Sequence, residues 1–352
     1  MRKITLIICE LVVLLFTSLA AQENENAPAA VSSVPASNCR IHWTRIADYP
    51  VCLSELSAIV FQGRIFVMGG KQTGGNQDLN DNRDVNFNYA YDPGSNQWTP
   101  LAAMPTARYD VGLAEIGGRI YAISSKNESY DPVTDTWKQH APLPHGGAHL
   151  GVAQTGGEIF AFGVEGADWC GQNMAFNPIT NAWHAKASIP TPRMFCAAVT
   201  FQEKIYVMGG LGYDAKGRIG PIRHEVEVYD PAADRWEAKH PMPDGIFGAT
   251  GTGVFDGKIF LVGVSKGESL SASRITQEIY VYNPVSDSWS RVSDPLPHTH
   301  HGGAGVAFLD NRITLIGGNG ENFTQFKDCY AGMIECSSKG IADSDKNHGR
   351  NE

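Results

Sequence analysis

Two arginines and a histidine are the residues whose types and spacing could do chemistry. Six short apolar runs each contain an isoleucine, and the residue twelve positions before it is Leu53, Arg108, Gly147, Arg193, Phe247 or His301. Equivalent spacing predicts that these positions lie together in the fold. Arginine holds a carboxylate or phosphate through two parallel hydrogen bonds. Arg108, Arg193 and His301 therefore form a candidate anion-binding site.

Three further side chains are expected near this site, namely Tyr109, His149 and Trp169. A structural interpretation competes with the functional one. The two arginines could instead pair with acidic residues of the same connecting segments, such as Asp110 or Glu55. The sequence leaves both interpretations open.

Metal and cofactor sites are not indicated. Five histidines invite a metal interpretation: His145, His149, His298, His300 and His301. No carboxylate or thiolate stands at ligand spacing beside them, which favours a solvated loop. Residues 78–84 resemble a calcium loop only weakly, because Arg83 occupies the position that requires glycine. The chain also contains no nucleophile elbow, phosphate-binding loop or dinucleotide fingerprint, so we expect no cofactor.

A motif of eight residues recurs five times and defines the elements that must position these side chains. Its order is aromatic, Asp or Asn, Pro, two variable residues, Asn or Asp, one variable residue and Trp. The copies are YDPGSNQW (91–98), YDPVTDTW (130–137), FNPITNAW (176–183), YDPAADRW (229–236) and YNPVSDSW (282–289). The first Asp or Asn can bond its own backbone, Pro fixes φ, and the second Asp or Asn tolerates a left-handed backbone. The motif therefore predicts a tight hairpin between two strands.

Each copy follows one of the apolar runs, and the sixth run stands alone. The runs begin 39 to 55 residues apart, are rich in β-forming residues, and show no helical stripe. Repeats of this length with several strands per unit are typical of propellers. Glycine pairs such as Gly69 and Gly70 end several runs, and we expect them to leave room for the aromatic and Trp rings.

The glycine pair, the aromatic residue and the Trp at this spacing resemble the kelch repeat. The resemblance covers residues 40 to about 336, although pairs 124–125, 163–164 and 263–264 replace the glycines. It implies an all-β fold, a six-bladed kelch-type β-propeller with four antiparallel strands per blade. It also implies a partner-binding mouth, on the face that carries the linkers between blades and the loops from second to third strands.

Ring closure explains why the sixth run has no hairpin motif after it. Trp43 has no strands before it, so residues 39–49 are expected to form the outer strand of blade six beside a strand from 329–336. The N-terminal strand then closes the last blade. This topology places Cys39 next to Cys336 and predicts a disulfide between them.

Four other cysteines follow the N-terminal segment, and six cysteines allow fifteen connectivities. Cys52 and Cys329 are expected on the opposite face of the ring, as are Cys170 and Cys196, which predicts two further disulfides. Export makes such pairing favourable.

The N-terminus has the features of an export signal. Arg2 and Lys3 precede an apolar core that ends in small residues, with cleavage expected after Ala20 or Ala21. We expect a signal peptide at 1–21, a disordered lead-in at 22–37, the propeller at 38–337 and a disordered tail at 338–352. The protein is then secreted or periplasmic, with no membrane span after cleavage. Asn127 and Asn322 lie in glycosylation sequons, for use only where the cell glycosylates exported chains.

Charge excludes one class of partner and leaves two functions. The formal charge is -9, or about -10 once Arg2, Lys3 and Glu10 are removed with the signal, and no basic block remains, which excludes nucleic acid. One function is a non-catalytic module that recognises a protein or glycan ligand at the mouth. The alternative is a sugar mutarotase or epimerase resembling exported kelch sialate epimerases, with Arg108 and Arg193 holding a carboxylate and a His or Glu moving protons.

Overall fold

The computed structural model describes residues 34–72, 83–147, 149–164, 166, 168–214, 217, 219–248, 251–267, 269, 272–297, 303–320 and 324–337. The regular elements of these residues are β-strands. No helix in the described ranges has the length and apolar character needed to cross a membrane. The expected signal peptide, most of the expected lead-in, the expected C-terminal tail and Asn322 lie outside the described residues.

Six sheets of four antiparallel strands form the blades, in agreement with the expected number. The chain begins with β1 (Cys39–Ile46), which belongs to the last blade. Blade one has β2 (Ser57–Phe61), β3 (Arg64–Met68), the small hairpin β4 (Lys71–Gln72) and β5 (Arg83–Asp84), then β6 (Asn88–Asp92) and β7 (Gln97–Pro100). Blade two has β8 (Gly112–Ile116), β9 (Arg119–Ile123), β10 (Asn127–Asp131) and β11 (Thr136–Gln139). Blade three has β12 (Gly151–Thr155), β13 (Glu158–Phe162), β14 (Asn173–Asn177) and β15 (Ala182–Ala185).

The remaining three blades repeat this plan, with added strands in blades four and five. Blade four has β16 (Ala197–Phe201), β17 (Lys204–Met208), the hairpin β18 (Leu211–Tyr213) and β19 (Ile219–Ile222), then β20 (Val226–Asp230) and β21 (Arg235–Lys239). Blade five has β22 (Ile246–Phe247), β23 (Gly251–Phe255), β24 (Lys258–Val262), β25 (Ser265–Lys266), β26 (Arg274–Ile275), β27 (Ile279–Asn283) and β28 (Ser288–Arg291). Blade six has β29 (Gly305–Leu309), β30 (Arg312–Asn319) and β31 (Gln325–Cys336), completed by β1.

The innermost strands form a closed ring. Strands β2, β8, β12, β16, β23 and β29 contact one another in this order, and β29 contacts β2. Small residues allow the close approach: a Cβ added to Gly112 would lie 2.1 Å from Val152, and one added to Gly251 would lie 2.3 Å from Val306. The second strands are buried on both faces between neighbouring sheets. Each large apolar side chain buried there stabilises the fold by about 1.5–3 kcal/mol.

The recurring motif is a hairpin, as predicted, and it also joins one blade to the next. In blade two, Asp135 adopts a left-handed φ of 54°. Its Oδ1 accepts the Tyr130 hydroxyl at 2.7 Å and the Ala102 amide at 2.8 Å. Trp137 Nε1 donates to the Ala102 carbonyl at 2.7 Å. One residue of the preceding linker is therefore held through both its N–H and its C=O, a contact that we term the blade latch.

The blade latch recurs wherever the motif occurs. The motif's second Asp or Asn and its Trp hold Ala47 in blade one, Ala141 in blade three, Ala187 in blade four and His240 in blade five. All five of the Asp and Asn residues have positive φ between 46° and 54°. Asp and Asn tolerate this backbone better than other non-glycine residues, which explains the restriction at that position.

The glycine pairs have a different role from the one expected. A Cβ added to Gly69 would lie 2.4 Å from the Arg108 carbonyl, and one added to Gly209 would lie 2.2 Å from the Ile246 carbonyl. The glycines thus make room for the backbone of the next linker. The aromatic and Trp rings pack on each other instead, with centroids 5.2 Å apart for Tyr130 and Trp137.

Blade six closes as predicted. Strand β1 pairs antiparallel with β31 along its whole length, with Cys39 opposite Cys336 in a disulfide. The joint between blades five and six has no blade latch, and the buried Trp43 Nε1 has no hydrogen-bond partner among the described residues. Donor and acceptor are exchanged at this joint. The linker supplies the acceptor, the Asp294 carboxylate, and the blade supplies the donor, the Ile41 amide, at 2.8 Å.

The two other predicted disulfides do not form. Cys52, Cys170, Cys196 and Cys329 all lie within the described ranges and none is disulfide-bonded. Cys52 and Cys329 differ in burial, because Cys52 is exposed whereas Cys329 is buried. Burial raises the pKa of the Cys329 thiol to about 12. Cys196 packs into the joint between blades three and four, with its Sγ beside Gly151 and Gly163. A shared face of the ring was therefore insufficient to predict pairing.

Two further expectations change at the level of single residues. The end of the expected lead-in is ordered, because the Ser37 amide donates to the Arg291 carbonyl at 2.7 Å and the Arg291 amide donates to the Pro35 carbonyl at 3.0 Å. Asn127 is buried and its amide donates to the Ala141 carbonyl, so the folded protein does not present it for glycosylation.

The blade latch can be tested at Asp135. We expect Asp135→Ala to lower the free energy of unfolding by about 2–3 kcal/mol, because it leaves the Tyr130 hydroxyl and the Ala102 amide without their acceptor. Asp135→Asn is the matched control and should cost less than about 1 kcal/mol, since Asn keeps both the acceptor and the tolerance of positive φ. Denaturant unfolding measures both. Equal losses would contradict the latch and indicate a requirement for the negative charge.

Candidate binding site at the propeller mouth

The linkers between blades and the loops from second to third strands lie on one face of the ring. The Gly70 amide donates to the Arg108 carbonyl at 2.9 Å, and the Ser54 amide donates to the Lys71 carbonyl at 3.0 Å. These bonds join the loop of blade one to the linkers on its two sides. We call the axial opening of this face the mouth.

Arg108 lies inside blade two. Its side chain is buried, and Nη2 lies 2.6 Å from Glu128 Oε2. Nη1 donates to the carbonyls of Ala122 and Lys126, and the Thr106 hydroxyl donates to the other Glu128 oxygen at 2.7 Å. Both ends of the ion pair are thus occupied by groups of the blade itself.

Arg193 repeats this arrangement in blade four. It is fully buried, with Nη1 2.8 Å from Glu227 Oε2 and Nη2 donating to the Val207 carbonyl at 3.0 Å. The Thr191 hydroxyl donates to Glu227 at 2.9 Å. The structural interpretation of the arginines holds, but with third-strand glutamates as partners in place of Asp110 and Glu55. The two guanidinium groups lie in separate blades and do not converge, and His301 lies outside the described residues.

The side chains at the mouth come from a position two residues further along each linker. This position lies ten residues before each isoleucine and is occupied, where described, by Glu55, Asp110, His149, Phe195 and Gly303. All five have positive φ, between 45° and 71°. Their backbones are linked from blade to blade: the Asp110 amide donates to the Glu55 carbonyl, and the Phe195 amide donates to the His149 carbonyl. The position ten residues before each isoleucine therefore marks the mouth, whereas the position twelve residues before it marks the blade interior.

Three of these side chains form one polar row. His149 Nδ1 lies 2.5 Å from Asp110 Oδ2, and Glu55 donates a hydrogen bond to Asp110. The Phe195 ring stacks on His149 with centroids 3.7 Å apart. We refer to Glu55, Asp110, His149 and Phe195 as the mouth row.

The two carboxyl groups of the mouth row have opposite pKa shifts. Burial, reinforced by the Asp110 carboxylate, holds the pKa of Glu55 well above its usual range. Burial alone would also raise the pKa of Asp110, but the contact with His149 and the hydrogen bond from Glu55 outweigh it and leave that pKa lowered. The environment therefore favours the neutral form of Glu55 and the charged form of the adjacent Asp110, and opposite shifts of this kind separate the roles of an acid and a base.

Aromatic side chains flank the mouth row. Tyr109 packs edge-on against His149 at 5.8 Å, and Lys71 Nζ lies 3.8 Å from the centre of the Tyr109 ring. In blade three, Trp169 stacks on the exposed His145 with centroids 3.6 Å apart. Of the expected site residues, Tyr109 and His149 are adjacent, and Trp169 lies on the same face. No group of three or more His, Cys, Asp or Glu within the described ranges is arranged to hold a metal ion.

The buried arginines generate a stability prediction. We expect Arg193→Met to lower the free energy of unfolding by about 3–5 kcal/mol, because it leaves the Glu227 carboxylate buried without its counter-charge. Adding Glu227→Met should restore most of the loss, since neither charge then remains. Chemical denaturation of both variants checks this. An unchanged unfolding free energy in Arg193→Met would contradict the structural role.

The mouth row generates a pH prediction. The folded-state pKa of Glu55 is raised, so its stabilising contribution is complete below about pH 4 and is lost as the pH rises through the folded-state value. Glu55→Gln stays neutral, so we expect its unfolding free energy to lack this loss on the alkaline side. Asp110→Asn should instead remove a loss on the acid side, because the pKa of Asp110 is lowered. Denaturant unfolding from pH 3 to 9 compares the two variants with the native protein. Parallel pH curves for the native protein and Glu55→Gln would refute the raised pKa of Glu55.

Comparisons with known proteins agree with the geometry. A family model described as Kelch motif matches residues 52–105 and 192–243. Kelch-like protein 36 of Rattus norvegicus is 28% identical over 285 residues, which are 81% of this chain and 39% of that protein. Beta-scruin of Limulus polyphemus is 25% identical over 275 residues, 77% of this chain and 25% of its own length. The chain thus spans about two fifths or less of these relatives.

A solved structure, titled Structure of YjhT, has the same fold. It superposes with a TM-score of 0.67 at 15% identity, and the match covers 82% of this chain and 99% of that one. The repeated motif, the four-stranded blades, the family-model matches and the Kelch-like relatives lead to one conclusion. The chain contains Kelch motifs, is similar to Kelch-like proteins over most of its length and has a β-propeller fold.

Proposed function

We propose that the protein is a binding module that recognises a glycan at its mouth. The observation that supports this is the mouth row, where one backbone position repeated around the axis presents a different side chain in each blade. A rigid ring with variable groups at its opening is a usual design for recognition. The kelch propeller itself is typical of interaction modules, and fold alone does not choose the ligand.

The depth of the polar groups favours a glycan over a protein surface. The side chain of His149 is 9% exposed and that of Asp110 is 24% exposed, so only a slender ligand reaches them. Carboxyl and imidazole groups form hydrogen bonds with hydroxyls, and the stacked rings of Phe195 and His149 offer an apolar face. A broad protein surface would rest on the surrounding loops and leave these groups unused.

A sugar mutarotase or epimerase is the second candidate, and the paired carboxyl groups of the mouth row favour it. Asp110 would take the proton from the anomeric hydroxyl while Glu55 gives its proton to the ring oxygen, so that the ring C–O bond breaks and a C=O bond forms. Closure on the other face of the carbonyl reverses these transfers. Arg108 and Arg193 are held in blade ion pairs, so this activity would act on a neutral sugar rather than on a sialate.

Glycan binding and its dependence on Asp110 test the proposal. We expect the native protein to bind members of a glycan array, and Asp110→Asn to weaken that binding at least about tenfold, because a hydrogen bond to a charged group is lost. Val133→Ser is the control, since Val133 is 84% exposed at a hairpin tip on the opposite face. Absence of binding to every glycan, or equal binding by Asp110→Asn, would refute the proposal. Exchange NMR of glucose and galactose anomers, run with the same variants, decides the catalytic candidate.

A further inference from the structure

Among the described residues, the rim of the mouth is lowest at blade two, where only residues 124–126 join the second and third strands. We infer that the ligand is an oligosaccharide that enters through this low point as an extended chain, with its end at the mouth row. The inference rests on the proposed glycan binding and specifies the shape and class of the ligand. Three observations carry it: the height of the rim, the gap in blade two and the aromatic sides of that gap.

The rim is raised at three blades. Blade one carries the hairpin β4–β5, and blade four carries the hairpin β18–β19. Blade five carries a small sheet of β22, β25 and β26. Pro221 of blade four also bridges to Ser269 of blade five, which joins two of these structures. A ligand that approaches the axis from these sides meets ordered backbone.

Blade two has no such addition, and its connection is described in full. Strand β9 ends at Ile123 and β10 begins at Asn127. The turn between them is closed by the Ser124 amide, which donates to the Lys126 carbonyl at 2.9 Å. Ser125 and Lys126 are exposed. We call this gap in the rim at blade two the notch, and residues 124–126 its floor.

Aromatic groups form the two sides of the notch. On one side, a Cβ added to Gly146 would lie 2.7 Å from Ser125 Cα, so the linker that carries His145 rests directly on the floor. The neighbouring His145 is exposed and stacked on Trp169. The other side is the linker into blade two, where Arg108 donates to the Ser124 hydroxyl and the Lys126 carbonyl of the floor. The next residue of this linker is Tyr109, which has Lys71 over its ring and precedes Asp110 of the mouth row.

These features fit a chain of sugar units. The outer units can lay their apolar faces on the His145–Trp169 stack or on Tyr109, while their hydroxyls reach the polar floor. A single unit at the mouth row contacts fewer of these surfaces than a longer chain does. Affinity should therefore rise with the number of units until the notch is filled.

A length series tests the inference. The probes are α-1,4-linked glucose, β-1,4-linked glucose and β-1,4-linked N-acetylglucosamine, each from one to six units, measured by isothermal titration with the full chain. We expect at least a tenfold gain in affinity between one and three units. Equal affinity at every length would overturn the notch and leave the proposed function standing. Failure of every probe and of the glycan array would overturn both.

An insertion separates the notch from the mouth row. Gly-Ser-Gly-Ser placed between Ser125 and Lys126 should remove the gain with length and keep the affinity for one unit. The same insertion between Val133 and Thr134, at the opposite end of blade two, is the control and should keep the gain. Circular dichroism and thermal melting verify that both variants fold. A gain that survives the notch insertion would overturn the inference, as would an insertion-sensitive peptide ligand in the absence of any saccharide ligand.

Discussion

The blade latch is the contact on which the rest of the structure depends. A linker that leaves one blade for the next must satisfy its backbone amide and carbonyl without a strand partner. The following blade supplies both, through one Asp or Asn side chain and one Trp indole. Because the same Asp also accepts the tyrosine hydroxyl of its own hairpin in blade two, the hairpin and the joint are a single hydrogen-bonded unit. Blade geometry is thereby fixed by residues outside the mouth row, whose side chains can differ from blade to blade.

The linkers use two neighbouring positions for two purposes. At Arg108 and Arg193 the side chain enters the blade and completes a buried ion pair with a third-strand glutamate. Two residues later, at Asp110 and Phe195, the backbone turns through a left-handed conformation and the side chain joins the mouth row. This left-handed turn recurs in successive blades and places the mouth-row side chains at equivalent positions around the ring.

The fold was predictable from the sequence because the motif encodes local chemistry. Its Asp, Pro and Trp specify a hairpin, and the absence of a sixth copy beside a stray Trp43 specified the closure and the partner of Cys39. The direction of the linker side chains was harder to predict from the sequence. A shift of two residues around a left-handed turn separates the blade interior from the mouth, and no periodicity in the linkers reports it. The burial of single residues was equally hard to predict, since Cys52 and Cys329 were expected on one face of the ring but differ in burial.

The pairing of β1 with β31 has a consequence for synthesis. Cys39 and Cys336 are 297 residues apart, so the first strand of the propeller has no strand partner until its last strand has been made. Contacts of such sequence separation form slowly, because the intervening chain must be brought together first. The blade latches of the first five blades run from earlier to later residues and can form in order. The ring can therefore assemble progressively, but it cannot close until β31 has been made and can pair with β1.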